Sequence, residues 1–261
     1  MQLGVSTSLS NAAAAKAAGF DYIEESVQNL LHAHDQGDAD WKGDVLAQGS
    51  PLPIPAANVM VPGVLKVTGD AADPAKLLAY MRTVLARAKK VGIQTIVFGS
   101  GVARMVPDGF DRERAYGQIV AFLKAVAPVA QENGVTIVIE PLNKTECNIL
   151  NGILESAEVA KRVGHPNIKL LWDTYHFWMD GQEMRELTET IKTGLVHHIH
   201  LADKEGRVGP GRSGKNDYKP VFAVLKEGGY DGMISIESPA FDIAKEGKEV
   251  AAYVRSEWDK A

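Results

Sequence analysis

Four ionisable residues in the second half of the chain each close a short apolar run. Glu140 ends VTIVIE, Asp173 ends IKLLWD, His200 ends LVHHIH and Glu237 ends MISIE. A single acid in such a place is an ordinary solvated strand end or a helix N-cap. Four on successive runs differ, because like charges gathered in a partly desolvated cleft repel one another unless something positive is held among them. Two glutamates, an aspartate and a histidine make a donor set of mostly oxygen atoms, suited to Mn²⁺, Mg²⁺ or Co²⁺, with Zn²⁺ a poorer match. One divalent ion is therefore the expected cofactor, with Glu140, Asp173, His200 and Glu237 as its ligands.

Elements must bring these ends together. Eight β-rich runs recur along the chain, near Leu3 to Ser6, Tyr22 to Glu25, Ile54 to Val59, Thr95 to Phe98, Thr136 to Glu140, Lys169 to Asp173, Leu195 to His200 and Met233 to Glu237. Helical periodicity fills the intervals. Asp73 and Pro74 open one such helix, apolar residues from Leu77 to Val91 repeat at helical spacing, and Gly92 closes it. A second runs from Asp111 to Asn133, with Pro128 inside it. Eight strand–helix pairs in 261 residues match a single-domain (β/α)8 barrel over residues 1–261. A doubly wound sheet would carry a Gly-rich turn after its first strand, and here Gly4 stands alone. Barrel active sites form at the C-terminal ends of the strands, where the four residues lie.

The stretches GFDYIEE, ANVMVPG, VFGSG, IEPLNKTECN, LLWDTYHFW, HIHLADKEGR and ISIES carry a resemblance to a known family. The chain resembles the xylose-isomerase-like barrels, the sugar phosphate isomerase and epimerase superfamily that includes D-tagatose 3-epimerase and hydroxypyruvate isomerase. The resemblance implies that the strand-end Glu140, Asp173, His200 and Glu237 hold the metal. It also implies that Glu146 and His176 hold the carbonyl end of the substrate and that Arg207 contacts the substrate–metal cluster. The implied activity is isomerisation or epimerisation of a small ketose, keto-acid or sugar phosphate. Glu140 and Glu237 would be the catalytic acid and base: one removes a proton beside the carbonyl, an enediolate forms, and the other returns a proton on the opposite face. The alternative on the same residues is a keto-sugar or inosose dehydratase, which would expel a leaving group after the same proton abstraction. The resemblance further implies a homo-oligomer, dimer or tetramer.

Composition narrows the partners. The 33 acidic and 28 basic residues give a net charge of −5, which argues against a phosphate backbone or an anionic membrane as the main ligand. A small carbohydrate is the expected partner, with neither nucleic acid nor membrane. The opening residues MQLGVSTSLS lack a basic flank followed by an apolar stretch, and the single cysteine, Cys147, has no disulfide partner in the chain; both point to the cytoplasm. Two segments invite an anion: GSGVAR (Gly99 to Arg104) through a Gly-rich turn and a cation, and GPGRSGKN (Gly209 to Asn216), which nearly matches a phosphate-cradling loop but has Asn216 where Ser or Thr belongs. The second is expected to be a mobile basic lid. One of Glu24 and Glu25 is expected to enter the barrel mouth, and His198 to be a satisfied core residue one layer deeper than His200.

Overall fold

The apolar runs form strands and the amphipathic intervals form helices in the computed structural model, which describes residues 1–35 and 37–261. The first half holds β1 (Gln2–Ser6), α1 (Ala12–Ala18), β2 (Tyr22–Ser26), α2 (Val27–Leu30), α3 (Gly43–Gln48), β3 (Ala56–Asn58), α4 (Pro74–Val91), β4 (Thr95–Phe98) and α5 (Gly101–Arg104). The second holds α6 (Arg112–Glu132), β5 (Thr136–Ile139), α7 (Ile153–Val163), β6 (Ile168–Asp173), α8 (Thr174–Met179), α9 (Met184–Ile191), β7 (Val196–Leu201), α10 (Lys219–Glu227), β8 (Met233–Ile236) and α11 (Ile243–Lys260). The strands pair in sequence order and β8 returns to β1 in parallel, so the sheet closes into an eight-stranded barrel. No helix among the described residues is long and apolar enough to cross a membrane.

The local signals act as expected. The Asp73 carboxylate accepts from the N–H groups of Ala75 and Lys76, both at 3.0 Å, Pro74 occupies the first turn of α4, and Gly92 leaves the helix at φ 93°. β3 is shorter than the run Ile54 to Val59. Pro53 and Pro55 have no N–H to give to a ladder; their carbonyls still accept from Ile23 (3.1 Å) and Gln94 (2.8 Å), so the segment lies alongside its neighbours without pairing. Between β6 and β7 the register shifts: Leu170 pairs with Val196 and Leu171 with His198, which leaves His197 as an extra, exposed residue.

Outward strand side chains join the helices in one large core. The barrel interior has two characters. On the β4–β6 side it is filled by Val97, Val138 and Leu171. On the other side it is polar, because Glu24 of β2 meets His198 and His200 of β7 across the barrel rather than through the sheet. Tyr22 fits there because β1 offers Gly4, whose absent Cβ would lie 2.2 Å from the ring, and its hydroxyl lies 2.9 Å from Ser235 Oγ.

Candidate active site

The closed barrel delivers the four strand-end residues to one point. One atom each from Glu140, Asp173, His200 and Glu237 lies within 4.8 Å of all the others. His200 Nδ1 is central: Glu140 Oε1 is 3.4 Å away, Glu237 Oε2 3.6 Å and Asp173 Oδ2 3.9 Å. Local structure fixes each group. The other Asp173 oxygen caps α8, accepting from Tyr175 N–H (2.6 Å) and His176 N–H (3.2 Å), which leaves Oδ2 aimed inward. The opposite ring nitrogen of His200, Nε2, lies 3.0 Å from a Glu24 oxygen. The carboxylate only accepts, so Nε2 carries the proton and Nδ1 faces the cluster. Glu237 is held by Arg207 and by Asn58, whose amide donates to Oε1 at 3.4 Å.

Glu140 Oε1, Asp173 Oδ2 and His200 Nδ1 are buried and make no hydrogen bond. Three orphaned donor atoms facing one point are what a bound cation would satisfy, and the set of three carboxylates and one imidazole fits a hard or borderline divalent ion. The electrostatics agree. Burial and then the charge of Glu237 push Asp173 up to about 8, and the same two causes raise Glu140. Burial acts upward on Glu237 too, but His200 and Arg207 overcome it and hold that carboxyl down at about 2. Burial disfavours a charged His200, yet Glu24 and Glu237 outweigh it and lift its pKa well above the usual histidine range. In the metal-free protein, then, a proton is drawn to the atom a cation would use.

A second layer surrounds this cluster. His176 Nδ1 accepts from the backbone N–H of Asn143 at 3.1 Å, with the Asn143 amide 2.9 Å away. Nδ1 therefore has no proton, and Nε2 presents an N–H to the cluster, 3.9 Å from Glu140 Oε1. Burial, reinforced by Arg207, lowers His176 to about 3, so the ring stays neutral. The Asn143 amide also donates to Glu146 at 2.9 Å. Arg207 bridges Glu237 and Glu146 and lies over the Tyr175 ring, 4.6 Å from its centre. All seven residues singled out in the sequence thus converge on the mouth. Of the aromatic residues around His176, Tyr175 reaches the site, whereas Phe177 packs on Trp172 and Trp178 on Tyr218.

The sequence left open which of Glu24 and Glu25 enters the barrel, and it did not single out Asn143 or the role of Gly99. Glu24, the member of its pair that turns inward, accepts from His198 at 2.8 Å and from Ser235 at 2.7 Å. Glu25 instead accepts from the Leu9 and Ser26 N–H groups. Asn143, inside IEPLNKTE, gave no signal apart from its neighbours. Gly99 admits Glu140: a Cβ there would sit 1.8 Å from Glu140 Oε2.

The anion role considered for GSGVAR and the mobile lid expected at GPGRSGKN are both corrected. Arg104 is fully buried and donates to the carbonyls of Phe98 and Glu140. The GPGRSGKN loop is strapped down, since Gly211 N–H, Ser213 N–H and the Tyr218 hydroxyl all donate to the buried Asp203 carboxylate at 2.8–3.0 Å. Its backbone donors are consumed by the protein's own carboxylate, and Arg212 turns away to Glu249 on α11.

Known proteins are similar to this chain in sequence and fold. A Mus musculus protein provisionally named hydroxypyruvate isomerase is 30% identical over 181 residues, 66% of this chain and 62% of that one. The D-psicose 3-epimerase of Agrobacterium fabrum is 27% identical over 172 residues, 64% of this chain. The chain thus spans 62% and 58% of the length of these two relatives. A crystal structure of D-psicose 3-epimerase with D-tagatose, from Clostridium cellulolyticum H10, superposes with a TM-score of 0.82 at 19% identity, covering 99% of each chain. A family model described as xylose isomerase-like TIM barrel matches residues 12–256, nearly the whole chain. The protein belongs to the xylose isomerase-like TIM barrel family.

Proposed function

We propose that the protein is a divalent-metal-dependent isomerase or epimerase of a small ketose or keto-acid. The observation that carries this reading is the set of orphaned donor atoms, Glu140 Oε1, Asp173 Oδ2 and His200 Nδ1, turned toward Glu237 in a buried mouth. With Glu237, these residues would hold the ion. When bound, it would supply Lewis acidity to the substrate carbonyl and the adjacent hydroxyl, making the neighbouring C–H acidic.

The protein's own groups supply the proton transfers. Glu140 and Glu237 project from β5 and β8, on different sides of the mouth. Their surroundings drive their proton affinities apart, Glu140 upward and Glu237 downward, as an acid–base pair requires. Glu237 takes the carbon-bound proton and Glu140 delivers one to the opposite face of the enediolate, inverting the centre. If one carboxylate both removes and returns the proton between adjacent carbons, the same site carries out aldose–ketose isomerisation. The neutral His176 donates its Nε2–H toward the developing oxyanion, and Asn143 keeps the ring in that tautomer. Glu146 and Arg207 orient the hydroxyl groups beside the carbonyl.

The test is carbon–deuterium exchange in D2O, followed by NMR. Glu140→Gln and Glu237→Gln should each abolish exchange at the substrate carbon, and wild-type exchange in either variant refutes the assignment. Product mass separates this chemistry from dehydration, which would lose water.

A further inference from the structure

His200 turns one ring nitrogen to the strand-end cluster and the other to the barrel interior, where it meets polar groups that the proposed proton transfers do not use. Tyr22 and Glu24 lie two residues apart on β2, His198 and His200 two apart on β7, and Ser235 is on β8, so strand alternation turns each pair to one side. In the sheet β1 and β8 separate β2 from β7, and the contact between these two strands runs across the barrel. Glu24, His198, His200 and Ser235 are each 0% exposed. Glu24 Oε2 lies 2.8 Å from His198 Nε2, 2.7 Å from Ser235 Oγ and 3.2 Å from His200 Nε2, while Oε1 lies 3.0 Å from His200 Nε2.

These spacings set where the protons lie. Both Glu24 oxygens face donors, so both imidazoles present an N–H at Nε2 and Ser235 gives its hydroxyl proton to Oε2. The Tyr22 hydroxyl, 2.9 Å from Ser235 Oγ, then donates to that oxygen. Glu24, His198 and His200 are also close enough together to hold an ion, with one atom of each within 4.8 Å of the others. Their facing atoms are already joined by hydrogen bonds, whereas Glu140 Oε1, Asp173 Oδ2 and His200 Nδ1 have no partner. The inner group therefore holds protons, and the outer one is left for the cation.

We infer that Glu24 is a positioning residue for the metal centre: it fixes the His200 proton on Nε2 and so reserves the Nδ1 lone pair for the ion, while His198 and Ser235 hold the carboxylate in place. This rests on the divalent-metal reading above. An amide of the same shape reverses the arrangement. In Glu24→Gln the amide oxygen belongs at the Oε2 position, where it keeps two donors, His198 and Ser235, and the NH2 group then points at His200. Facing a donor, Nε2 must accept, and the ring proton moves to Nδ1, the atom that the cation needs.

The experiment combines Mn²⁺ titration with ¹⁵N spectra of the histidine rings in the metal-free protein. Wild type should bind a single Mn²⁺ per chain, and Glu24→Gln should bind it about 10- to 100-fold more weakly. Ser235→Ala disturbs the same network but leaves a carboxylate facing His200, so its loss should stay below about tenfold. The spectra should place a proton on His200 Nε2 in wild type and in Ser235→Ala, and none there in Glu24→Gln. A role in packing alone would weaken binding in both variants without moving the proton. Wild-type affinity in Glu24→Gln, or equal losses in the two variants, overturns the inference and leaves the metal-dependent reading standing. A second Mn²⁺ per chain that disappears with Glu24→Gln also overturns it, because the inner group would then hold an ion. Should Glu24→Gln fail to fold, the wild-type spectrum still decides: a His200 without a proton on Nε2 refutes the assignment. No binding of Mn²⁺, Mg²⁺, Co²⁺ or Zn²⁺ by wild type overturns the metal-dependent reading itself.

Discussion

Gly99→Ala separates the placement of one carboxylate from the integrity of the barrel. Gly99 follows β4 and faces Glu140, whose Oε2 would lie 1.8 Å from the new methyl carbon, with its carboxyl carbon at 3.0 Å. Reaching a contact of at least 3.0 Å requires Oε2 to retreat by about 1.2 Å. Glu140 is 3% exposed, with His200 and His176 near its other oxygen, so the carboxylate has little room to retreat without turning away from His200. A misplacement of about 1 Å at a reacting group costs roughly 100-fold in rate, and a disturbed ligand costs roughly 10- to 100-fold in metal affinity. Overpacking costs about 1–3 kcal/mol, partly offset by about 0.4–1 kcal/mol from the stiffer unfolded chain. The Tm should therefore fall by only a few degrees while exchange activity falls by about two orders of magnitude. Titration with Mn²⁺, calorimetric melting and deuterium exchange read the three quantities separately. Shortening the ligand in the same background, Gly99→Ala with Glu140→Asp, should recover part of the metal affinity. A Gly99→Ala protein with wild-type affinity and exchange would refute the close-approach argument.

Other outcomes follow from the same geometry. Asp173, held up to about 8, keeps its proton in the folded metal-free protein while the unfolded chain ionises near 3.8. The folded state then binds the extra proton, and this group's contribution to stability falls as pH rises through that window, by up to about 1.4 kcal/mol per pH unit. Asp173→Asn retains an acceptor for the Tyr175 and His176 N–H groups, so its stability advantage over the metal-free wild type should grow from pH 4 to pH 8 in urea titrations while metal binding disappears; an advantage independent of pH would refute this. Asn143→Asp sets a carboxylate against His176 Nδ1 and should move the ring proton to that nitrogen, lowering kcat roughly 10- to 100-fold with metal content intact; ¹⁵N shifts of the imidazole check the tautomer. Asp203→Ala leaves three donors of the 209–218 loop without their acceptor and should cost about 2–4 kcal/mol, with limited proteolysis newly cutting between Asp203 and Tyr218.

The sequence exposed those parts of the site that local pattern controls. An apolar run that ends in a charge identifies both a strand and its terminus, and the barrel then dictates that such ends meet. Glu140, Asp173, His200 and Glu237 were legible for that reason, as was α4, whose start and stop are written in Asp73, Pro74 and Gly92. What stayed hidden depends on contacts between distant parts of the chain. Glu24 and Glu25 are alike in sequence, and only His198, 174 residues away, shows which one turns inward. Arg104 looked free because the carbonyls that consume it belong to strand ends whose orientation no local pattern reports. GPGRSGKN looked mobile because its anchor, Asp203, lies upstream in a segment with no distinctive composition. Family likeness supplied Glu146, His176 and Arg207, which spacing alone would not have selected.

The extra residue in β7 bears on how this chain can change over evolutionary time. Side chains alternate along a strand, so His198 and His200 face the interior only while His197 stays accommodated outside the ladder. Were His197 drawn into the ladder, every later residue of β7 would slip by one position and Ile199 would face the cluster in place of an imidazole. Length variation among descendants of this gene should therefore collect in the connections that follow the strands and stay out of the five residues around the bulge.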